Sequence, residues 1–137
     1  MKYRLIDHTA DFGLHVFGSD PQDLFENAGQ AMFNQITDIN ALKGLVELDL
    51  RVTGADWCDL MVNWLRELLY LWTGKEMLVK ATEIFSIAEH NLSAKVKSDP
   101  FDSNLHVITG EIKAVTYHQI QVNQGSAGWE AKIIFDV

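Results

Sequence analysis

Phe12-Gly13-Leu14-His15-Val16-Phe17-Gly18-Ser19-Asp20-Pro21-Gln22-Asp23-Leu24 is the stretch whose reading decides the fold. Phe12, Leu14 and Val16 alternate with Gly13, His15 and Phe17, the period-two pattern of a strand with one covered face. Gly18 stops the alternation. Asp20 then stands where a helix N-cap belongs, with Pro21 at the first helical position and Asp23 in the first turn. Leu24, Ala28, Ala31, Met32 and Gln35-Ile36 follow at helical spacing.

The same order of events recurs downstream. Val46, Leu48, Leu50 and Val52 alternate, Gly54 ends the run, and Asp56 caps a second helix. Its apolar stripe is Leu60, Met61, Trp64, Leu65, Leu68, Leu69 and Trp72. Gly18, Asp20, Asp23 and Leu24 align with Gly54, Asp56, Asp59 and Leu60 at one constant offset, as an internal strand-helix duplication would give. Helix entries share capping chemistry in general, so independent convergence is the alternative.

After Gly74 the pattern predicts strands at Met77-Leu78-Val79, Ile84 to Ile87 and Leu92 to Val96, with a turn at Glu89-His90-Asn91. Ser98 to Asn104 reads as a loop and Ile112 to Val122 as strand-like. Gln124 to Gly128 reads as a hairpin loop, and Trp129, Ala131, Ile133, Phe135 and Val137 alternate to the last residue. The expected class is α+β, with two helices packed on one face of a largely antiparallel sheet and one domain over residues 1–137.

Composition narrows the function classes. The chain has 137 residues, 47% hydrophobic and 22% charged, which fits a globular domain with one core. Eleven Lys and Arg stand against nineteen Asp and Glu, a net charge of −8. Cations so few and scattered do not grip a phosphate backbone, so tight direct nucleic-acid binding is not expected. An acidic surface suits a basic protein partner or a cation, or serves only solubility. Met1 to His8 lacks signal-peptide features, and the apolar cluster Leu68 to Trp72 is too short to cross a bilayer. Cys58 is the only cysteine, so no intrachain disulfide forms. A cytoplasmic protein without a membrane segment is the expectation. Cys58 precedes Asp59 in the first helical turn, where nearby aspartates oppose a lowered thiol pKa, and it is not read as a nucleophile.

Three segments carry candidate chemistry. Asp7-His8-Thr9-Ala10-Asp11 offers two carboxylates and an imidazole within five residues. Carboxylates suit calcium, magnesium or manganese, and a histidine shifts the preference toward manganese or zinc. Such a cluster also serves as ordinary turn chemistry. At the other end, Ile133-Ile134-Phe135-Asp136-Val137 puts Asp136 opposite the apolar row, with Glu130 and Lys132. The strand pattern runs to the last residue, which would hold the terminal carboxylate of Val137 near Asp136; a frayed end is the alternative. In Glu111 to His118, strict alternation puts His118 with Ile112 and Ala114, as a core histidine, and points Lys113 and Tyr117 the other way. A phosphate-binding Gly-rich loop, a Cys/His zinc set and a Gly-x-Ser-x-Gly elbow are missing from the sequence.

Taken with Val62-Asn63-Trp64-Leu65-Arg66-Glu67-Leu68-Leu69, the segments Asp7 to Leu14, Ile112 to His118 and Ile134 to Val137 resemble the archease signature, in order and over essentially the whole chain. The resemblance implies a non-catalytic activator of the GTP-dependent tRNA-splicing RNA ligase, promoting GMP transfer onto the ligase and its turnover. It implies a divalent metal, calcium first with manganese or magnesium as alternatives, held by Asp11, Asp136 and the terminal carboxylate of Val137. It matches Lys113 to a lysine implicated in activity and places His8 in the same motif. Phe12, where an aliphatic residue is common, and Asn63, where relatives often carry an acid, depart from the pattern.

Two rival readings remain at this level. Asp7, His8, Asp11 and Asp136 could hold a catalytic metal for phosphodiester hydrolysis. Alternatively, Trp57, Trp64 and Trp72 could contribute to the exposed apolar surface of a chaperone-like module.

Overall fold

A computed structural model describes residues 1–7 and 11–137. The chain forms β1 (Tyr3–Asp7), β2 (Asp11–Gly18), α1 (Pro21–Asn34), a 3-10 turn (Ile39–Ala41), β3 (Val46–Thr53), α2 (Trp57–Thr73), β4 (Met77–Ala88), β5 (Asn91–Pro100), β6 (Ala114–Val115), β7 (Gln121–Gly125) and β8 (Gly128–Asp136). This is the expected α+β class of two helices and antiparallel strands. The strands divide into two sheets. One runs β1-β2-β8, with β6 and β7 both on the far edge of β8; the other runs β3-β5-β4.

The two strand-to-helix entries are built alike. Asp20 Oδ1 accepts from the Asp23 amide at 2.8 Å, and Asp56 Oδ1 from the Asp59 amide at 2.8 Å. Asp23 and Asp59 reach back in turn, Oδ2 accepting from the amides of Ser19 at 2.9 Å and Ala55 at 2.8 Å. Each entry thus satisfies one otherwise orphaned helix N–H group and the amide just ahead of the cap. Gly18 and Gly54 are required by close approach. A Cβ at either would lie 2.4 or 2.5 Å from the backbone nitrogen of Leu24 or Leu60. Asn27 and Asn63 share the offset too, their side-chain amides donating at 2.9 Å to the carbonyls of Phe17 and Thr53.

The likeness extends to the sheets. β2 pairs with β8, whose hairpin partner is β7; β3 pairs with β5, whose hairpin partner is β4. The β3-α2-β4-β5 unit therefore sits, in sequence, inside the β2-α1 … β7-β8 unit.

Both helices pack against strands of both sheets. Their apolar stripes join Leu14, Val16, Ile133 and Phe135 on one side and Val52, Leu92, Ala94 and Val96 on the other in a single core. Trp64 is fully buried, Trp72 packs edge-on against Phe101, and Trp57 lies against Phe25 and Trp129. These three tryptophans are core and rim residues and do not form an exposed face.

Several local expectations need correction. β1 adds an edge strand the sequence reading did not include. β4 runs unbroken in chain order, with register shifts after Val79 and Ile84 where separate strands were expected. β5 continues to Pro100, so Ser98 and Asp99 are buried strand residues and not the start of a loop. Asp99 stays in the strand because its carboxylate has partners there: it accepts from the amides of Lys43, Gly44 and Leu45 at 2.9, 2.7 and 3.2 Å. Burial pushes the Asp99 carboxyl upward. The Gly44, Leu45 and Lys43 amides outweigh that, and with His106 they leave it below the ordinary range.

Candidate functional site

Strand pairing brings the two ends of the chain together. Asp11 opens β2, Asp136 closes β8, and the two are directly opposed partners in the antiparallel ladder. Directly opposed residues carry their side chains on the same sheet face. Beneath them, on the core face, Phe12 stacks on Phe135 with ring centroids 5.3 Å apart. Asp11 is half-buried and its Oδ1 is sealed from solvent, while Asp136 is exposed. In the next row on the same face, a Cβ at Gly13 would meet Ile134 Cδ1 at 2.8 Å, so the absent side chain lets Ile134 lie across β2.

β6 completes the row, since Ala114 is the partner of Asp136 on the other edge of β8. The Lys113 amide donates to the Asp136 carbonyl at 2.7 Å. Lys113 lines a surface cavity with Trp72, Thr73, Glu76, Glu111 and Ile112, at the C-terminal end of α2. Asp11, Asp136 and Lys113, singled out from three distant segments, are therefore neighbours along one row of backbone. Val137, which follows Asp136, is 42% exposed. His8 lies outside the described residues. Among the described residues, no group of three or more His, Cys, Asp or Glu is gathered to hold a metal. The opposed carboxylates are a pair, fewer than the roughly six to eight oxygen donors a calcium ion takes.

His118 does not occupy the core position expected of it. Strict alternation fails because β6 spans only two residues and Gln119 has φ of 52°, which turns the chain before β7. Ile112 and Val115 are buried, while Lys113, Tyr117 and His118 are exposed.

Sequence reasoning missed the tie between this segment and α2. Arg66 Nε donates to the Val115 carbonyl at 3.1 Å, and its guanidinium lies 4.7 Å from the centroid of the Tyr117 ring. The Tyr117 hydroxyl donates to Asp59 Oδ1 at 2.6 Å. The signal was present: Asp59, Asn63 and Arg66 share one face of α2 at helical spacing.

The Tyr117 hydrogen bond lowers the Asp59 carboxyl first, with the Ala55 amide next and Arg66 adding to them. The same bond to Asp59 raises the Tyr117 phenol. A depressed carboxylate contributes stability above its ordinary value of 3.8, lost as pH falls through the lower folded value. A raised phenol contributes below its ordinary value of 10.0, lost as pH rises through the higher folded value. The contact is thus intact between those limits. In an ultraviolet difference titration of wild type against Tyr117→Phe, the missing phenol should ionise above 10.0. Asp59→Asn should bring that ionisation down; an unchanged midpoint would mean the bond is absent in solution.

Burial raises the Cys58 thiol, a backbone bond with Val122 partly offsets this, and Asp56 adds to the rise. The thiol is kept protonated, as expected for a residue that is not a nucleophile.

The description of the archease protein family (MTH1598/TM1083) matches residues 3–137. This chain belongs to the archease family. The archease of Methanosarcina mazei is 34% identical over 140 residues, covering 99% of this chain and 96% of that one. The archease-like protein of Drosophila melanogaster is 32% identical, covering 100% and 91%. The solution structure of Methanobacterium thermoautotrophicum protein 1598 superposes with a TM-score of 0.84 at 26% identity, covering 99% of each chain. Among the described residues of this archease, no helix is long and apolar enough to cross a membrane.

Proposed function

We propose that this archease is a non-catalytic activator of the GTP-dependent tRNA-splicing RNA ligase, promoting GMP transfer onto the ligase and its multiple turnover. The observation that carries the ligase reading is the match of residues 3–137 to the archease family; the metal site is supported by the Asp11–Asp136 pair, opposed in register and flanked by the Lys113 backbone. Two like charges directly opposed on one sheet face repel. A divalent cation would turn that repulsion into ligation, and hard carboxylate oxygens suit calcium first, then manganese or magnesium. The proposed ligands are Asp11, Asp136 and the terminal carboxylate of Val137. When bound, the cation supplies a centre of positive charge on an acidic surface. Asp11 and Asp136 would hold that centre at the sheet end, with Lys113 and His8 as the residues proposed to act on the ligase.

The test is multiple-turnover ligation of a cleaved tRNA by the cognate ligase with GTP and manganese. Wild type should raise the turnover rate, and folded Asp11→Ala and Asp136→Ala should lose most of that stimulation. An unchanged ligase rate with wild type would sink the activator reading and turn attention to phosphodiesterase activity of the protein alone.

A further inference from the structure

The Lys113–Tyr117 segment is held from two sides, by β8 and by α2. β6 pairs only Ala114 and Val115 with β8, and so short a ladder is marginal by itself. Thr116 adds its amide and hydroxyl, donating to the Ile134 carbonyl at 3.1 and 2.8 Å. The remaining anchors come from one face of α2. Arg66 grips the Val115 carbonyl and lies over the Tyr117 ring, and Asp59 holds the Tyr117 hydroxyl. Asp59 is itself fixed by the Ala55 amide, and Asn63 beside it is tied to the Thr53 carbonyl. The clamp is therefore rooted in the capped start of α2, and its far end is one peptide from Ala114, the strand partner of Asp136.

We propose that Arg66 and Tyr117 are positioning residues for ligase activation, setting where Lys113 stands beside Asp136 and acting on the ligase through Lys113 without contacts of their own. This rests on the activator reading above. A guanidinium holding a carbonyl and an aromatic ring together fixes both the height and the twist of the segment. A charge displaced by about 1 Å at a reacting interface costs up to about a hundredfold in rate.

The experiment is a double-mutant cycle on stimulated ligase turnover, using the full chain: wild type, Arg66→Ala, Lys113→Ala and the double variant, with Tyr117→Phe alongside. Hydrogen exchange at the Lys113 amide supplies a readout independent of activity. Arg66→Ala should lose about tenfold in stimulation and speed Lys113 amide exchange. The double variant should be no worse than Lys113→Ala alone. Tyr117→Phe, which removes one oxygen and keeps the ring, should lose less, in the same direction. The proposal is overturned if Arg66→Ala or Lys113→Ala keeps full stimulation. It is also overturned if the double variant falls well below Lys113→Ala, since Arg66 then acts directly or through the fold. If Arg66→Ala does not fold, full stimulation by Tyr117→Phe overturns it. Failure of wild type to stimulate removes the activator reading, and this proposal with it, before any variant is compared.

Discussion

Trp64→Ala should lower the unfolding free energy by about 3–5 kcal/mol. Trp64 is fully buried in α2 and its indole N–H donates to the Phe25 carbonyl of α1 at 2.9 Å. The helices meet closely here because Gly29 of α1 has no side chain: a Cβ there would come within 2.9 Å of Leu68 Cδ1 and 3.9 Å of Trp64 Nε1. Truncation removes the largest buried side chain at this crossing and leaves a cavity lined by helices that cannot close over it. Trp64→Phe separates the components, retaining most of the volume while losing a hydrogen bond worth about 1 kcal/mol. Urea denaturation of the three proteins should rank them in that order with similar slopes. A loss under about 1.5 kcal/mol for the alanine variant would mean that the crossing collapses freely, contrary to its packing.

Local chemistry explains why the strand-helix entries were legible. Gly18 and Gly54, the caps Asp20 and Asp56, and the apolar stripes act within a few residues of themselves, so their pattern survives in the sequence. Asn27 and Asn63 belong to the same pattern and went unnoticed, because their partners, Phe17 and Thr53, are ten residues away across the turn. The division into two sheets was not legible. Whether β2 pairs with β8 or with β3 depends on contacts between distant segments, and alternation alone carries no partner. β1 escaped because Leu5 and Ile6 are adjacent apolar residues on an edge strand, with Leu5 60% exposed. Ser98 and Asp99 read as loop residues because polar side chains at a strand end suggest water, whereas Asp99 is buried against three amides.

The carboxylate row was legible only conditionally. Asp11 and Asp136 could meet only if the first alternating stretch and the last were neighbours, and the β2-β8 register makes them direct partners. His118 failed because the ladder of β6 ends at Val115 and Gln119, with its positive φ, turns the chain before β7, so no continuous alternation runs through it. Lys113 shows both limits. Its amide stands against the Asp136 carbonyl, and the residue also borders the cavity at the end of α2 with Glu76 and Glu111. Backbone order can be read from a pattern, while the direction of a long side chain near a strand end cannot.

Calcium should raise the thermal midpoint of wild type, and the rank of wild type and Asp136→Asn should reverse between metal-free and metal-loaded conditions. A ligand that binds only the folded state adds RT ln(1 + [L]/Kd), about 2.7 kcal/mol at a hundredfold excess over Kd. For a domain of this size that is roughly 10 °C. Without metal, the opposed pair costs on the order of 0.2–1 kcal/mol through like-charge repulsion. Asparagine at position 136 removes one of those charges while keeping the shape, so the variant in chelator should be as stable as wild type or more so. In calcium it should gain little and fall below wild type. A variant that merely damaged the strand end would lose equally in both conditions, so the crossing distinguishes a ligand from a packing residue. Thermal melts in chelator, calcium, manganese and magnesium decide it. If none of the three cations raises the wild-type midpoint, the pair is not a metal site, and its effect on the ligase has to be sought in the carboxylates themselves.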